Sequence, residues 1–407
     1  MNRLLNALIK ILAVLGLCLI TAAVITSPRW IIHPDRTAVP VPATEQPEGP
    51  TADAFAPLPA ILPAVTPEPS PAPTPTPTPT PSPTPEPTPE PTPESYTISM
   101  IGDCTLASYP KIRFWDIGFE NVVGENWAYP FSNTSDIFAA DELTIANLEC
   151  SVSDLPGYSN ITFRFLAPKA ATQILTLGGV DAVTAANNHA LDFGPDMLRD
   201  TVANMESAGI PAVTEGEGKI VESPNGLRIG IYADFNGHYP NSEKVAAGVR
   251  SLLEQGAEVV VVSLHWGDEA SYYVNAYQEQ TGHAAIDAGA TVVMGHGPHR
   301  LEPYEEYRGS VIFYSLANFV FGGNTEPKDM DTAIGQITVT RQDDGSFALS
   351  GFRAIPCSIS STAPLNNYCP TPMEEDTEEY RRAMSKVDGT WTGANNNIDY
   401  SFLRSDS

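Results

Sequence analysis

The sequence predicts a layered α/β domain carried behind an N-terminal membrane segment and a proline-rich stalk. Three observations lead there. From about residue 95 onward, β-branched runs such as EVVVVSL alternate with helical stretches, a pattern that favours helices layered on sheets over an all-β sandwich. Polar and ionisable residues sit repeatedly just past the ends of those runs, where the loops of layered α/β folds converge on one sheet edge and bind ligands. The first quarter differs in kind: an uncharged apolar run, then almost alternating proline.

Residues 1–30 are expected to be a membrane anchor or signal segment. Ile11 to Ile25 is uncharged and, with Leu8, Ile9, Thr26 and Ser27 beside it, approaches the ~20 residues a helix needs to cross hydrocarbon. Arg3 and Lys10 precede it, so the amino end is expected inside and the remainder outside the cytoplasm. A cleaved signal peptide, with secretion of the rest, is the alternative; an anchor is favoured because no clear A-x-A cleavage site follows. Residues 31–94 are expected to be a disordered Pro/Thr-rich linker. Its alternating prolines lack amide donors and fix φ, which excludes helix and interior sheet and favours polyproline II. At about 3.1 Å per residue, the stretch 66–94 reaches roughly 90 Å as a stalk.

The working domain is placed at 95–356, with a C-terminal extension over 357–407. SYTISMIGD alternates as a strand does and ends at Gly102-Asp103. LTIANLE ends at Glu149, and GVDAVTAANNHALDFG reads as a short strand, a loop and a helix starting near Gly194-Pro195, with AGIPAV leading to the next strand. LRIGIYAD ends at a carboxylate, and EQGAEVVVVSLHWGDE carries a β-branched run that ends at His265. A helix around Gln278–Ala288, the strand ATVVMGH and one strand over SVIFYSLANFVF complete the pattern. The acidic, then Asn- and Gly-rich tail from Met373 has no clear element.

Composition narrows the function. The chain has 407 residues with 22 Lys+Arg against 49 Asp+Glu, a formal charge of −27. That field repels nucleic acid, and no basic tract offsets it. Besides Cys18 there are Cys104, Cys150, Cys357 and Cys369, spaced unlike any zinc knuckle and too sparse for a disulfide scaffold. A Cys357–Cys369 bridge closing a short loop is one reading and unpaired thiols the other.

Asp103, Glu149, Asn188, His189, His265, His296 and His299 each lie at or just beyond a strand-like run. Singly, each has a structural explanation: a turn cap, a surface ion pair, a packed histidine. Together, carboxylate, amide oxygen and imidazole suit a borderline divalent ion such as Mn, Fe or Zn, and exclude all-thiolate chemistry.

The ordered set IGDCTLAS, ANLECSVS, AANNHALDFG, SLHWGDE, MGHGPH and FYSLANFVFG resembles the capsule synthesis family often called CapA, or poly-gamma-glutamate biosynthesis proteins, related to calcineurin-like metallophosphatases. The resemblance covers about residues 95–355. It implies a four-layer metallophosphatase-like α-β-β-α sandwich with the site at the strand ends. By motif, Asp103 corresponds to the first metal carboxylate, Glu149 to the carboxylate bridging two metals, and Asn188 to the amide ligand. His265, His296 and His299 resemble the later histidine ligands. His189 resembles the acid that protonates the leaving group, oriented by Asp192. Trp266 is a candidate pocket wall, or else packing below the sheet edge; Glu269 is a candidate for capturing a substrate amine, or else a solvated helix start. Thr105 stands where the phosphatases have a histidine, GHGPH spaces its histidines by three rather than two, and glutamate replaces aspartate at the bridge.

The resemblance implies a role outside the membrane in synthesis, export or processing of a capsule or poly-gamma-glutamate polymer, in company with polymer-synthesis membrane proteins and acting on an anionic polymer or phosphoester. Two alternatives stand beside it: an extracellular metal-dependent phosphoesterase, and a non-catalytic scaffold of a polymer-synthesis complex.

Overall fold

The computed structural model describes residues 94–394. The expected membrane segment and all but the last residue of the expected stalk lie outside the described residues. Among the described residues no helix is long and apolar enough to cross a membrane.

Two mixed sheets form the domain. The first runs in the order β16 (Thr371–Pro372), β15 (Phe347–Ser358), β14 (Asp331–Arg341), β1 (Ser95–Thr105), β2 (Leu143–Leu148), β5 (Ala182–Ala185) and β6 (Ala212–Thr214), with β13 (Asn318–Phe321) also pairing β1. The second runs β11 (Leu301–Tyr307), β12 (Ser310–Leu316), β10 (Val292–His296), β9 (Val259–Trp266), β8 (Arg228–His238) and β7 (Gly218–Glu222). A short ribbon pairs β3 (Ser151–Val152) with β4 (Leu166–Ala167). Strands β1, β2, β5 and β6 are parallel to one another, as are β8, β9, β10 and β12. Their carboxyl ends therefore gather at one edge, as the sequence pattern anticipated.

Side-chain alternation sorts the core into layers. In β9, Val259 and Val261 join Met100, Ile145, Met294 and Phe313 in a core between the two sheets. Val260, Val262, Leu264 and Trp266 face outward, where the helices Ser242–Glu254 and Ala276–Asp287 cover them. On the other sheet, Ala146, Leu148 and Val183 face outward against Leu175 and Met205, carried by the helices Thr172–Gly178 and Pro195–Ser207. The result is a mixed α/β sandwich of two facing sheets with helices on the outer faces. Burying each such Val, Leu or Ile contributes about 1.5–3 kcal/mol.

Two predicted elements differ. SVIFYSLANFVF is not one strand: Ala317 takes φ 62, and the chain passes from β12 in the second sheet to β13 in the first. A non-glycine residue in the left-handed region marks a sharp turn, and here it moves Asn318 opposite Asp103. Cys104, Cys150, Cys357 and Cys369 are all buried free thiols, so the Cys357–Cys369 bridge is not formed.

The tail packs onto the domain. Thr377 caps the helix Glu378–Val387 by accepting from the Tyr380 amide. From that helix, buried Lys386 donates to Asp329 and Asp331, each at 2.7 Å, and Arg382 forks onto both oxygens of Asp331. Buried carboxylates hold their charge only when paired in this way.

Candidate metal centre

The alternation that builds the core also aims the site. In β9 the inward parity of Val259 and Val261 continues to Ser263 and His265; in β10 that of Val292 and Met294 continues to His296. In β2, Leu143 and Ile145 are followed by Asn147 and then, one residue past the strand, Glu149. Asp103 reaches the same inner face through an irregularity: the register of β1 against β2 shifts between Ile101 and Asp103. Gly102 permits it. A Cβ there would lie 1.8 Å from the Ala317 carbonyl oxygen, the acceptor for the Asp103 amide at 2.9 Å.

The side chains so placed form two three-residue groups sharing one carboxylate: Asp103 with His265 and His296, and Asp103 with Glu149 and His299. Within each group the donor atoms lie within 4.8 Å of one another. Asp103 Oδ1 is 3.7 Å from His296 Nδ1 and 3.9 Å from His265 Nδ1; its Oδ2 is 3.0 Å from His299 Nδ1. Glu149 Oε1 is 3.8 Å from His265 Nε2 and 3.9 Å from His299 Nε2. Asp103 is common to both groups, and Glu149 lies within 4 Å of a histidine from each.

A cation fits this donor set. Both Glu149 oxygens and His265 Nε2 are buried with no hydrogen-bond partner, and such groups cost free energy unless something pairs them. Carboxylate and imidazole donors at this spacing form a divalent-metal binding site whose chemistry admits Mn, Fe or Zn. Neighbouring side chains orient the donors: Asn147 Nδ2 donates to Asp103 Oδ1 at 2.8 Å, Ser263 Oγ lies 2.8 Å from His296 Nε2, and Asn318 Oδ1 lies 2.9 Å from His299 Nδ1. Such outer contacts fix ring orientation and tune ligand basicity.

The charges respond to burial and to one another. Burial, reinforced by the Asp103 charge, pushes the Glu149 carboxyl up to about 8. Burial also opposes protonation of His299, but Glu149 and Asp103 outweigh it and raise the imidazole to about 9. His296 is pushed down to about 4, chiefly by burial. His265 falls well below its ordinary value for the same reason, with His296 and His299 adding to it. Burial works against the Asp103 charge, yet the His299 contact holds its carboxyl below the usual range.

A cleft of about 730 Å³ opens on the centre. Glu149, His299, Asn188, His189, Asp192 and Glu269 are among the residues that line it. Asn188 is exposed there, while its neighbour Asn187 is buried and donates to Asn147 Oδ1 and the Leu148 carbonyl. His189 Nδ1 lies 2.9 Å from Asp192 Oδ2, which also accepts from the Phe165 amide at 3.0 Å. Trp266 is placed elsewhere. It is 1% exposed, stacks on Tyr314 and donates Nε1 to the Tyr314 carbonyl at 2.8 Å, on the outward parity of β9.

The structure adds residues that the sequence did not single out. Asn147 and Asn318 orient ligands, as described. His238 ends β8 with its ring centroid 5.5 Å from that of His265. Its backbone is left-handed, as are those of Asn236 and Gly237 before it; the Asn-Gly pair after LRIGIYAD was the available signal. Arg300, directly after His299, lines the cleft.

The model of the family described as bacterial capsule synthesis protein PGA_cap matches residues 97–323, more than half of the chain; the chain belongs to this family. It is 29% identical over 312 residues to the PGA biosynthesis protein CapA of Bacillus subtilis (strain 168), covering 71% of this chain and 77% of that protein. It is 27% identical over 298 residues to the capsule biosynthesis protein CapA of Bacillus anthracis, covering 66% and 68%. Among solved structures, a hypothetical protein from Thermus thermophilus superposes with a TM-score of 0.41 at 13% identity, over 64% of this chain and 98% of that one. That likeness is too slight to define a reaction.

Proposed function

We propose that the protein is a metal-dependent hydrolase acting outside the cell membrane, with phosphoester or amide-like bonds of an anionic substrate as its targets. The observation that carries this reading is an Asp103-centred pair of donor groups, two of whose members, Glu149 and His299, line one cleft with His189 and Asp192. A bound divalent cation supplies Lewis-acid activation of the scissile group and of water. The protein residues then have distinct tasks. Asp103, Glu149, His265, His296 and His299 would hold the ion or ions, and Asn188, on the cleft wall, would supply an amide oxygen. His189 donates the proton that the leaving group needs, and Asp192 holds its imidazole in position. Glu269 stands at the cleft to meet a cationic group of the substrate. The Bacillus relatives' names support a capsule or poly-gamma-glutamate polymer as the physiological context. In that context the expected anchor 1–30 and stalk 31–94 hold the domain out from the membrane, next to polymer-synthesis membrane proteins.

Turnover of a chromogenic phosphomonoester, a phosphodiester and a γ-glutamyl oligomer by the full chain, with each metal in turn, tests the reading. Metal-dependent hydrolysis of any of them, lost in His189→Ala while the metal is retained, supports it. No turnover of all three by metal-saturated protein overturns it and leaves a binding or scaffold role.

A further inference from the structure

We propose that Arg300 is the residue through which the cleft recognises an oxyanion, carboxylate or phosphate, of its ligand. The inference deepens the functional reading above, since it takes the same cleft as the ligand site.

Arg300 is 5% exposed and lines the cleft beside His299. A guanidinium carries five N–H donors in a fixed fork. Here Nη1 donates to the His299 carbonyl at 2.8 Å, while Nε is buried without a hydrogen-bond partner. The nearest carboxylate oxygen, Asp329 Oδ2, is 3.8 Å from Nε, beyond hydrogen-bond reach. That oxygen already accepts from the Tyr272 hydroxyl and from Lys386 Nζ, each at 2.7 Å.

The charges of this cluster point the same way. Asp331 is engaged by Lys386 and by both arms of Arg382. Three cations thus face two carboxylates, and the cation whose donors are least used is the one on the cleft. A buried guanidinium with an idle donor is costly unless a partner arrives. Carboxylates and phosphates match its fork, and charge-assisted pairs of this kind are the strong ones. The tail helix has a part in this. Lys386 occupies Asp329 Oδ2 together with the Tyr272 hydroxyl, and Arg300 Nε is left 3.8 Å from that oxygen without a hydrogen bond. The arrangement also answers an electrostatic difficulty: a chain of net charge −27 repels anions unless a local cation meets them.

The test is calorimetric titration of inorganic phosphate and, separately, glutarate into the full chain in detergent, with and without manganese(II). Parent protein, Arg300→Gln, Arg300→Lys and Asp329→Asn are compared. At least one probe is expected to bind the parent and to bind Arg300→Gln roughly tenfold or more weakly, with Arg300→Lys between them. Which probe responds distinguishes phosphate from carboxylate. Asp329→Asn withdraws the negative charge that lies 3.8 Å from Arg300 Nε and is expected to bind the same probe more tightly, a gain that misfolding does not produce. Manganese stoichiometry is expected to be equal in all four. If the parent binds neither probe better than Arg300→Gln does, the inference is overturned. Arg300-dependent binding without turnover sinks only the hydrolase reading; turnover with Arg300-independent binding sinks only this one.

Discussion

The Nδ1 atoms of His265 and His296 lie 2.9 Å apart inside the protein, although each imidazole has been stripped of water and neither favours a proton. Two nitrogens sharing one tetrahedral ion at 2.0–2.1 Å are about 3.3 Å apart, so the pair is close to the spacing a common metal requires. Asp103 completes this group and also belongs to the second. Asp103→Ala is therefore expected to remove all bound transition metal, whereas His296→Ala and Glu149→Ala each disable one group. Elemental analysis of the full chain and the three variants decides it. Equal and complete loss in all three variants would replace two groups by a single ion held by the whole set.

Metal affinity is expected to rise with pH. Glu149 titrates at about 8 and His299 at about 9 in the metal-free protein, so at pH 7 the set retains protons. Binding needs a carboxylate and a neutral imidazole, and those protons must leave. Affinity then increases from pH 7 to 9, with release of up to about two protons per binding event. Calorimetry in two buffers of different ionisation enthalpy counts them. A pH-independent affinity would show that these two residues are not ligands.

His189 and Asp192 lie in neither donor group, so chemistry and metal content separate there. His189→Ala is expected to lower the hydrolytic rate about 10²–10⁴-fold with unchanged metal. Burial opposes the His189 charge, but the Asp192 hydrogen bond and the Glu149 charge hold its pKa above the ordinary value. An acid is active below its pKa, so Asp192→Asn lowers that pKa and moves the alkaline limb of the pH–rate profile to lower pH. A limb that stays in place would assign Asp192 only to its bond with the Phe165 amide.

How far the sequence could be read follows from what each residue depends on. His265, His296 and Glu149 were legible because each closes a β-branched run, and strand ends of one parallel set must meet. Parity along the same runs separates His265 from Trp266: an inward histidine at the strand end requires an outward tryptophan after it. Asn318 was hidden by the continuous apolar run around it, since only the left-handed turn at Ala317 carries the chain to the other sheet. Arg300 and Lys386 were hidden for another reason. Lys386 reaches Asp329 and Asp331 only when the tail helix docks, and Arg300 lines a cleft whose other walls come from distant segments, so no local pattern encodes either.

Gly102 is the position at which the fold and the centre depend on one another most directly. The shift of β1 after Ile101 turns Asp103 from the outward to the inward face, and it brings the backbone against the Ala317 carbonyl. A methyl group at Gly102 would stand 1.8 Å from that oxygen, a backbone atom that cannot rotate away. Overpacking of this kind costs about 1–3 kcal/mol, occasionally more. Any relaxation separates β1 from Ala317 and carries Asp103 away from both histidine groups. Gly102→Ala is therefore expected to lower the denaturation midpoint and weaken metal binding together. Gly351, in β15, is the control: its Cβ position is open and its φ is not left-handed, so Gly351→Ala is expected to leave metal binding intact and to raise stability by about 0.4–1 kcal/mol. Denaturant unfolding of the two variants beside the parent, with metal titration of each, measures both effects. Full metal affinity in a destabilised Gly102→Ala protein would show that Asp103 holds its place without the bulge.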